Sequence, residues 1–189
     1  MSSGKIVVFC GPSGAGKSTI AHKMLKQFPV FQLSISATTR SPRAMEKDKV
    51  DYYFLTSQSF EAKIEADKFL EYEQVYEGLY YGTLMSEMER IWSSGNIPFL
   101  DLDVKGAAHL KEKYGDQGLF VFIHPGTVEV LAQRLRDRGT EDARSLEKRI
   151  RRASFELEYA PRFDYILKNE KLEVAVNEIQ NVLDDFIKR

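Results

Sequence analysis

Cysteine is almost missing from this chain. The single one, Cys10, has no internal partner for a disulfide and suits a reducing compartment. Net charge is almost missing too: 28 acidic residues face 27 basic ones, so the surface as a whole is not built to sit on nucleic acid or an anionic membrane. No apolar stretch approaches the roughly 20 residues of a membrane span. The opening MSSGKIVVFCGP lacks the long apolar core of a signal peptide. Repeats and low-complexity tracts are absent. His22, His109 and His124 form no metal-ligand cluster, and no nucleophilic triad assembles around them. These absences predict a soluble, cytoplasmic protein. Its 189 residues, 43% hydrophobic and 29% charged, suffice for one well-buried core and are few for two independent domains.

What is present is an alternation of strands and helices. Ile6–Cys10 is an apolar, β-branched run ending in glycines, as a buried parallel strand would be. A helix is predicted from Lys17, with Ile20, Met24, Leu25 and Phe28 on one face, stopping before Pro29. Ile97–Leu102, Leu119–Ile123 and Tyr165–Leu167 read as further buried strands. Val104–Lys113, Thr127–Arg136 and Leu172–Lys188 read as helices, the last with Val176, Ile179, Leu183 and Phe186 at helical spacing. The expected class is α/β, a three-layer core around a mostly parallel sheet. Two stretches break the alternation. A tyrosine-rich stretch, about 35–85, carries strand-like runs Val50–Leu55 and Phe69–Val75 around a short helix with Ser57 as its candidate cap. An arginine-rich stretch covers about 127–160. Both read as insertions on a core formed by about 1–34, 86–126 and 161–189.

Gly11, Pro12, Ser13, Gly14, Ala15, Gly16, Lys17 and Ser18 fit G-x-x-x-x-G-K-[ST] without a mismatch, between a predicted strand and a predicted helix. Glycines let backbone N–H groups turn in around phosphate oxygens. The following helix offers its positive end to the anion. Lys17 reaches the outer phosphates, the Ser18 hydroxyl is placed for Mg²⁺, and Thr19 completes the nucleotide-binding run. Asp101 and Asp103 lie two apart at a strand end and share a face. Asp103 is the candidate second group on the magnesium side, directly or through water. It is equally placed to cap the helix from Val104, and both readings stand at this point.

The loop alone leaves a GTPase, an ATPase motor, a kinase or a simple binding site open. The tyrosine-rich stretch narrows this. Arg40 and Arg43, three apart, suit bidentate contacts to a phosphate, and tyrosine hydroxyls at Tyr52 and Tyr81 can donate to the same group. Guanine presents N1–H and N2–H₂ donors and an O6 acceptor. Glu71 matches the donors, and hydroxyls at Ser36 and Thr83 match O6.

Taken in order, GPSGAGKST, SATTRSPR, DYYF, FLEYEQV, YYGT, FLDLDVKG and RLRDRGTED resemble the guanylate kinases over nearly the whole length, with family-like spacing. The resemblance implies a P-loop NTPase fold with a mixed α/β GMP-binding insertion and a small helical lid. It implies phosphoryl transfer from Mg-ATP to GMP, and to dGMP. It implies phosphate contacts from Arg40, Arg43, Tyr52 and Tyr81, and guanine contacts from Ser36, Glu71, Thr83 and Asp101. It assigns the catalytic role to Lys17 and Arg43 together with Arg134, Arg138 and Arg149 of the lid. Three positions depart from the family pattern: Met45 stands where glycine is usual, Thr83 where serine is frequent, and Tyr76-Glu77 carries one residue more than some members.

Residues 134–152 can close over ATP as a lid or form a solvated helix paired with Glu141, Asp142 and Glu147; for Arg136, Arg144, Arg151 and Arg152 the second reading is preferred. Interleaved acids argue against RNA binding there. The expected partners are ATP and GMP or dGMP, with no nucleic acid or membrane, in a monomer or homodimer. A protein-binding module that has lost catalysis, and a kinase for another small acceptor, are the rivals. The complete loop opposes the first and Glu71 the second.

Overall fold

Ile6–Cys10 forms strand β1, and all five side chains are fully buried. The computed structural model describes residues 4–137 and 143–189. Within these the chain divides into two compact units, one of Gly4 and Val30–Phe99, the other of Lys5–Pro29 and Leu100–Arg189.

In the second unit β1 leads through a glycine-rich turn into helix α1, Lys17–Gln27, which buries Ile20, Ala21 and Met24. After five strands of the first unit (β2 to β6, bounded below), the chain reaches β7, Ile97–Asp101, whose end returns to this unit. The Leu102 N–H donates to Phe9 O at 3.0 Å. Helix α4, Val104–Tyr114, leads through a 3-10 turn to β8, Gly118–His124, which lies parallel to β1 with Ile6 opposite Gly118 and Cys10 opposite Phe122. β9, Tyr165–Lys168, pairs parallel on the far side of β8. The last helix, α7, Leu172–Lys188, buries Ala175, Ile179, Leu183 and Phe186; the predicted Val176 is half-buried, one position off the buried stripe. Between β8 and β9 the arginine-rich segment holds two helices, α5, Val128–Asp137, and α6, Ala143–Leu157. Leu131 and Ala153 are buried together against Ile150, so these helices share a small apolar seam.

The first unit holds β2, Phe31–Leu33, parallel to the start of β7. It also holds a small mixed sheet in the order β4-β3-β6-β5. Its strands are β3 (Ala37–Thr38), β4 (Tyr53–Phe54), β5 (Phe69–Tyr76) and β6 (Leu79–Leu84). Helix α2, Ser57–Glu65, sets Phe60 against the sheet, and helix α3, Met85–Ser93, follows β6 directly. Phe60 is fully buried and stacks on Phe69 at 4.2 Å and on Tyr80 at 5.1 Å between ring centroids. Phe60→Ala therefore removes the centre of this small core, and a loss of about 3–5 kcal/mol is expected in chemical denaturation.

The sequence-based expectations need three corrections here. The strand-like run Val50–Leu55 contracts to Tyr53–Phe54: Lys47 N–H donates to Asp51 Oδ2, and Lys49 has a φ of 62°, so residues 47–51 turn and leave Val50 exposed. The cap of α2 is Thr56, whose hydroxyl accepts from Ser59 N–H at 3.1 Å; Ser57 instead donates to Gly78 O. Strand β5 runs one residue past its predicted end and slips register against β6 at two places. Between Gln74 and Tyr76 it takes two steps while β6 takes one, a bulge just before the turn at Glu77-Gly78.

The other slip is more consequential. Phe69 pairs with Leu84, and the next pair is Glu71 with Thr83, leaving Leu70 as an extra residue. In unbroken pairing Glu71 would face Gly82, and a one-residue shift turns side chains to the opposite face. The bulge at Leu70 is what sets Glu71 opposite Thr83.

Candidate active site

The loop between β1 and α1 wraps around Lys17. Gly16 has a φ of 93°, and a Cβ there would meet Asn169 Nδ2 at 2.2 Å; a Cβ at Gly11, with a φ of 132°, would meet Ile123 O at 2.5 Å. Both positions therefore require glycine for conformation and for space. The Lys17 ammonium donates to Gly11 O at 2.8 Å and Pro12 O at 3.4 Å, and lies 4.0 Å from Asp101 Oδ1. Ser18 Oγ donates to Asp101 Oδ2 at 3.2 Å. Burial pushes the Asp101 carboxyl above its ordinary value, against the opposing pull of Lys17 and Ser18. Burial likewise drives the Cys10 thiol far up, so it is an inert packing residue beneath the loop.

The two aspartates take different places. Asp101 sits with Lys17 and Ser18, whereas Asp103 Oδ1 accepts from Lys105 N–H and Gly106 N–H, both at 2.9 Å, as the cap of α4. The carboxylate beside Ser18 is that of Asp101, because β7 ends at Asp101 and the chain has already turned toward the helix at Asp103.

Of the arginines in the stretch expected to act as a lid, Arg134 is tied down: its Nη2 donates to Asn169 O at 2.8 Å. Its Nη1 is buried without a hydrogen-bond partner among the described residues, as is Asn169 Oδ1. Asn169 Nδ2 donates to Ala15 O at 2.7 Å, so one asparagine links α5 to the phosphate loop. Arg152 Nε donates to Glu156 one turn along α6. Arg138 and the side chains of Arg144 and Arg149 lie outside the described residues.

In the first unit Thr83 Oγ1 donates to Glu71 Oε1 at 2.7 Å. Ser36 precedes Ala37, which pairs with Gly82 beside Thr83. The Arg40 guanidinium grips Glu46 in a two-pronged contact of 2.7 and 2.9 Å and lies 5.3 Å from the centre of the Tyr52 ring. Tyr52 and Tyr81 meet edge to face, with ring centroids 6.2 Å apart. Glu46 also accepts from the Arg43 N–H at 2.7 Å, while the Arg43 side chain is exposed. The Arg40 guanidinium and the Arg43 amide pull the Glu46 carboxyl down to about 2. Met45 is 90% exposed and does not need a positive φ, so the turn forms without the family's glycine.

Three residues with such contacts escaped the sequence reading: Glu46 and, on α3, Glu87 in the first unit, and Asn169 in the second. Glu46 lies three residues beyond Arg43 and Asn169 one residue beyond a strand end, but nothing in their type marks them. Glu87 had a weak signal, an acid three residues before Arg90 on one face of an amphipathic helix.

A buried strand, a glycine-rich loop closed on a lysine, a helix, and a carboxylate at the end of a further strand define a P-loop NTPase. Comparison with known proteins narrows the class. The guanylate kinase family model matches residues 3–186. The guanylate kinase of Chlorobium chlorochromatii is 45% identical over 185 residues, 98% of this chain and 97% of that protein. That of Salinibacter ruber is 44% identical over 187 residues, 99% of each. The crystal structure of guanylate kinase from Anaplasma phagocytophilum superposes with a TM-score of 0.76 at 29% identity, covering 97% of this chain and 86% of that one. The chain belongs to the guanylate kinase family. It is an enzyme, a nucleotide-binding kinase with an α/β fold and a mostly parallel sheet.

Proposed function

We propose that this enzyme moves the γ-phosphoryl group of ATP to GMP, and to dGMP, giving ADP and GDP in cytoplasmic purine nucleotide metabolism. The observation that carries the choice of acceptor is the pairing of Glu71 with Thr83 at 2.7 Å across the β5–β6 hairpin. A carboxylate beside a hydroxyl complements guanine's two donors and its O6; adenine offers no such donor pair.

In this reading residues about 35–85 hold the acceptor, with Arg40, Arg43, Tyr52 and Tyr81 on its phosphate and Ser36, Glu71 and Thr83 on its base. Gly11 to Thr19 hold ATP. The phosphate of GMP has a second pKa near ~6, so its attacking oxygen is already anionic and no general base is needed. The protein has to align donor and acceptor, neutralise charge and exclude water. Lys17 and the lid arginines of about 127–160 meet the charge, and the buried Nη1 of Arg134, which has no hydrogen-bond partner among the described residues, is a donor suited to that role. Asp101 belongs to the ATP side in this reading, since Ser18 and Lys17 both engage it. Ser18 Oγ and the Asp101 carboxylate are hard oxygen donors side by side, which fits Mg²⁺ better than a softer metal. Ser18 would hold the ion with Asp101 behind it, through water, and the ion would neutralise charge on the ATP phosphates.

The test is ADP formation from Mg-ATP with GMP, dGMP, AMP, CMP or no acceptor. Turnover with GMP and dGMP alone is expected. Equal turnover with AMP or CMP would overturn the acceptor assignment, and silence with every acceptor would overturn the kinase reaction itself.

A further inference from the structure

Glu87 is a charged residue where charge is costly. It lies on α3, is 1% exposed, and yet burial does not leave it unpaired. Oε1 accepts from Ile35 N–H at 3.0 Å and Arg90 Nη2 at 2.7 Å. Oε2 accepts from the Tyr53 hydroxyl at 2.8 Å and Arg90 Nε at 2.9 Å. Four donors converge on one carboxylate, about the number it can accept. Burial alone would push its carboxyl up; the Arg90 guanidinium, the Ile35 N–H and the Tyr53 hydroxyl outweigh it and hold it below its ordinary value.

The three segments joined there are those of the acceptor site. Ile35 immediately precedes Ser36. Tyr53 immediately follows Tyr52, and its N–H donates to Ser36 O at 2.9 Å. Glu87 itself is four residues beyond Thr83, in the helix that continues β6. Strands β3 and β4 are two residues each, and their own ladder is too short to fix their spacing firmly. The Arg90 side chain is 43% exposed while Glu87 is buried, so their ion pair adds little stability, whereas its directed bonds specify geometry.

We infer that Glu87 is a positioning residue for the acceptor nucleotide, setting the distance between the segment that reads the base and the segment that holds its phosphate. This rests on the reading of Ser36, Tyr52 and Thr83 as GMP contacts. Buried and held by four donors, the carboxylate acts through the Ile35 amide and the Tyr53 ring.

The experiment measures KM for GMP, KM for ATP, kcat and the thermal midpoint for Glu87→Gln, Tyr53→Phe and the double variant Glu87→Met/Arg90→Met. Glu87→Gln keeps the size but turns an amide N–H₂ toward one of the donors. It is expected to raise KM for GMP about tenfold, in line with loss of a charge-assisted bond, with KM for ATP within about twofold. Tyr53→Phe removes one bond only and should give a smaller rise in KM for GMP. The double variant leaves no charge or mismatched amide behind, so its midpoint should lie no lower than that of Glu87→Gln while KM for GMP stays raised. That divergence of stability from acceptor KM is something a merely structural role would not produce. The inference is overturned if KM for GMP in the folded double variant returns to the parent value, or if both KM values rise together in Glu87→Gln. A parent enzyme that does not use GMP would instead overturn the functional reading, before any variant is compared.

Discussion

Lys17→Met is expected to give a folded protein that turns over about 10²- to 10³-fold more slowly than the parent, the usual cost of removing one preorganised charge from a transition-state site. The methionine stem matches the lysine stem, so the first turn of α1 keeps its packing. What disappears is the ammonium that bonds the Gly11 and Pro12 carbonyls and stands 4.0 Å from Asp101. Those carbonyl bonds hold the charge within the loop. The midpoint should fall only slightly, because the lysine side chain is still 16% exposed and its ion pair is long. The paired measurement is kcat with Mg-ATP and GMP against the thermal midpoint without nucleotide. A large drop in midpoint with near-normal turnover per folded molecule would make Lys17 a brace for the loop and remove it from the chemistry.

Glu71→Gln should act on the other substrate. The exchange keeps the volume and can keep an acceptor toward Thr83 Oγ1, so the hairpin survives. In the proposed reading it replaces the second carboxylate oxygen by an N–H₂ group that would face guanine's own donors. A site built to match hydrogen-bonding groups loses heavily when one is mismatched and left buried. A fall of about 10²- to 10³-fold in kcat/KM for GMP is expected, with KM for ATP changed by less than about twofold. Steady-state kinetics with each substrate varied at saturation of the other decides this. Equal losses on both substrates would mean that Glu71 supports the fold of the hairpin and does not read the base.

How far these residues were readable without coordinates depended on whether their signal was local. The phosphate loop was, because its composition is dictated by backbone conformation at Gly11 and Gly16 and needs no distant partner. Strand β1 and helix α7 were, because continuous burial and helical spacing leave their own patterns. Strands β2 and β3, at three and two residues, carry no pattern of their own and exist through their partners β7 and β6. Helix α3 was hidden by Glu87, since a carboxylate on the buried face interrupts the apolar stripe that reveals a helix. The separation of Asp101 from Asp103 turned on where β7 stops, and a strand end set by a helix cap is not visible in alternation alone. Leu70 gave no sign of being a bulge: a leucine in a strand looks the same paired or extra.

That last feature bears on how this hairpin can vary over time. It contains two surplus residues of opposite character. The one near the tip, between Gln74 and Tyr76, lies beyond the pairs that hold the acceptor residues, so lengthening or shortening the hairpin there leaves Glu71 opposite Thr83. The one at Leu70 lies on the near side of Glu71, and losing it would slide the carboxylate by one position and turn it away from its hydroxyl. Insertions and deletions at the first place leave the Glu71–Thr83 pair in register, whereas at the second, in the proposed reading of Glu71, a single codon would decide whether the base is read.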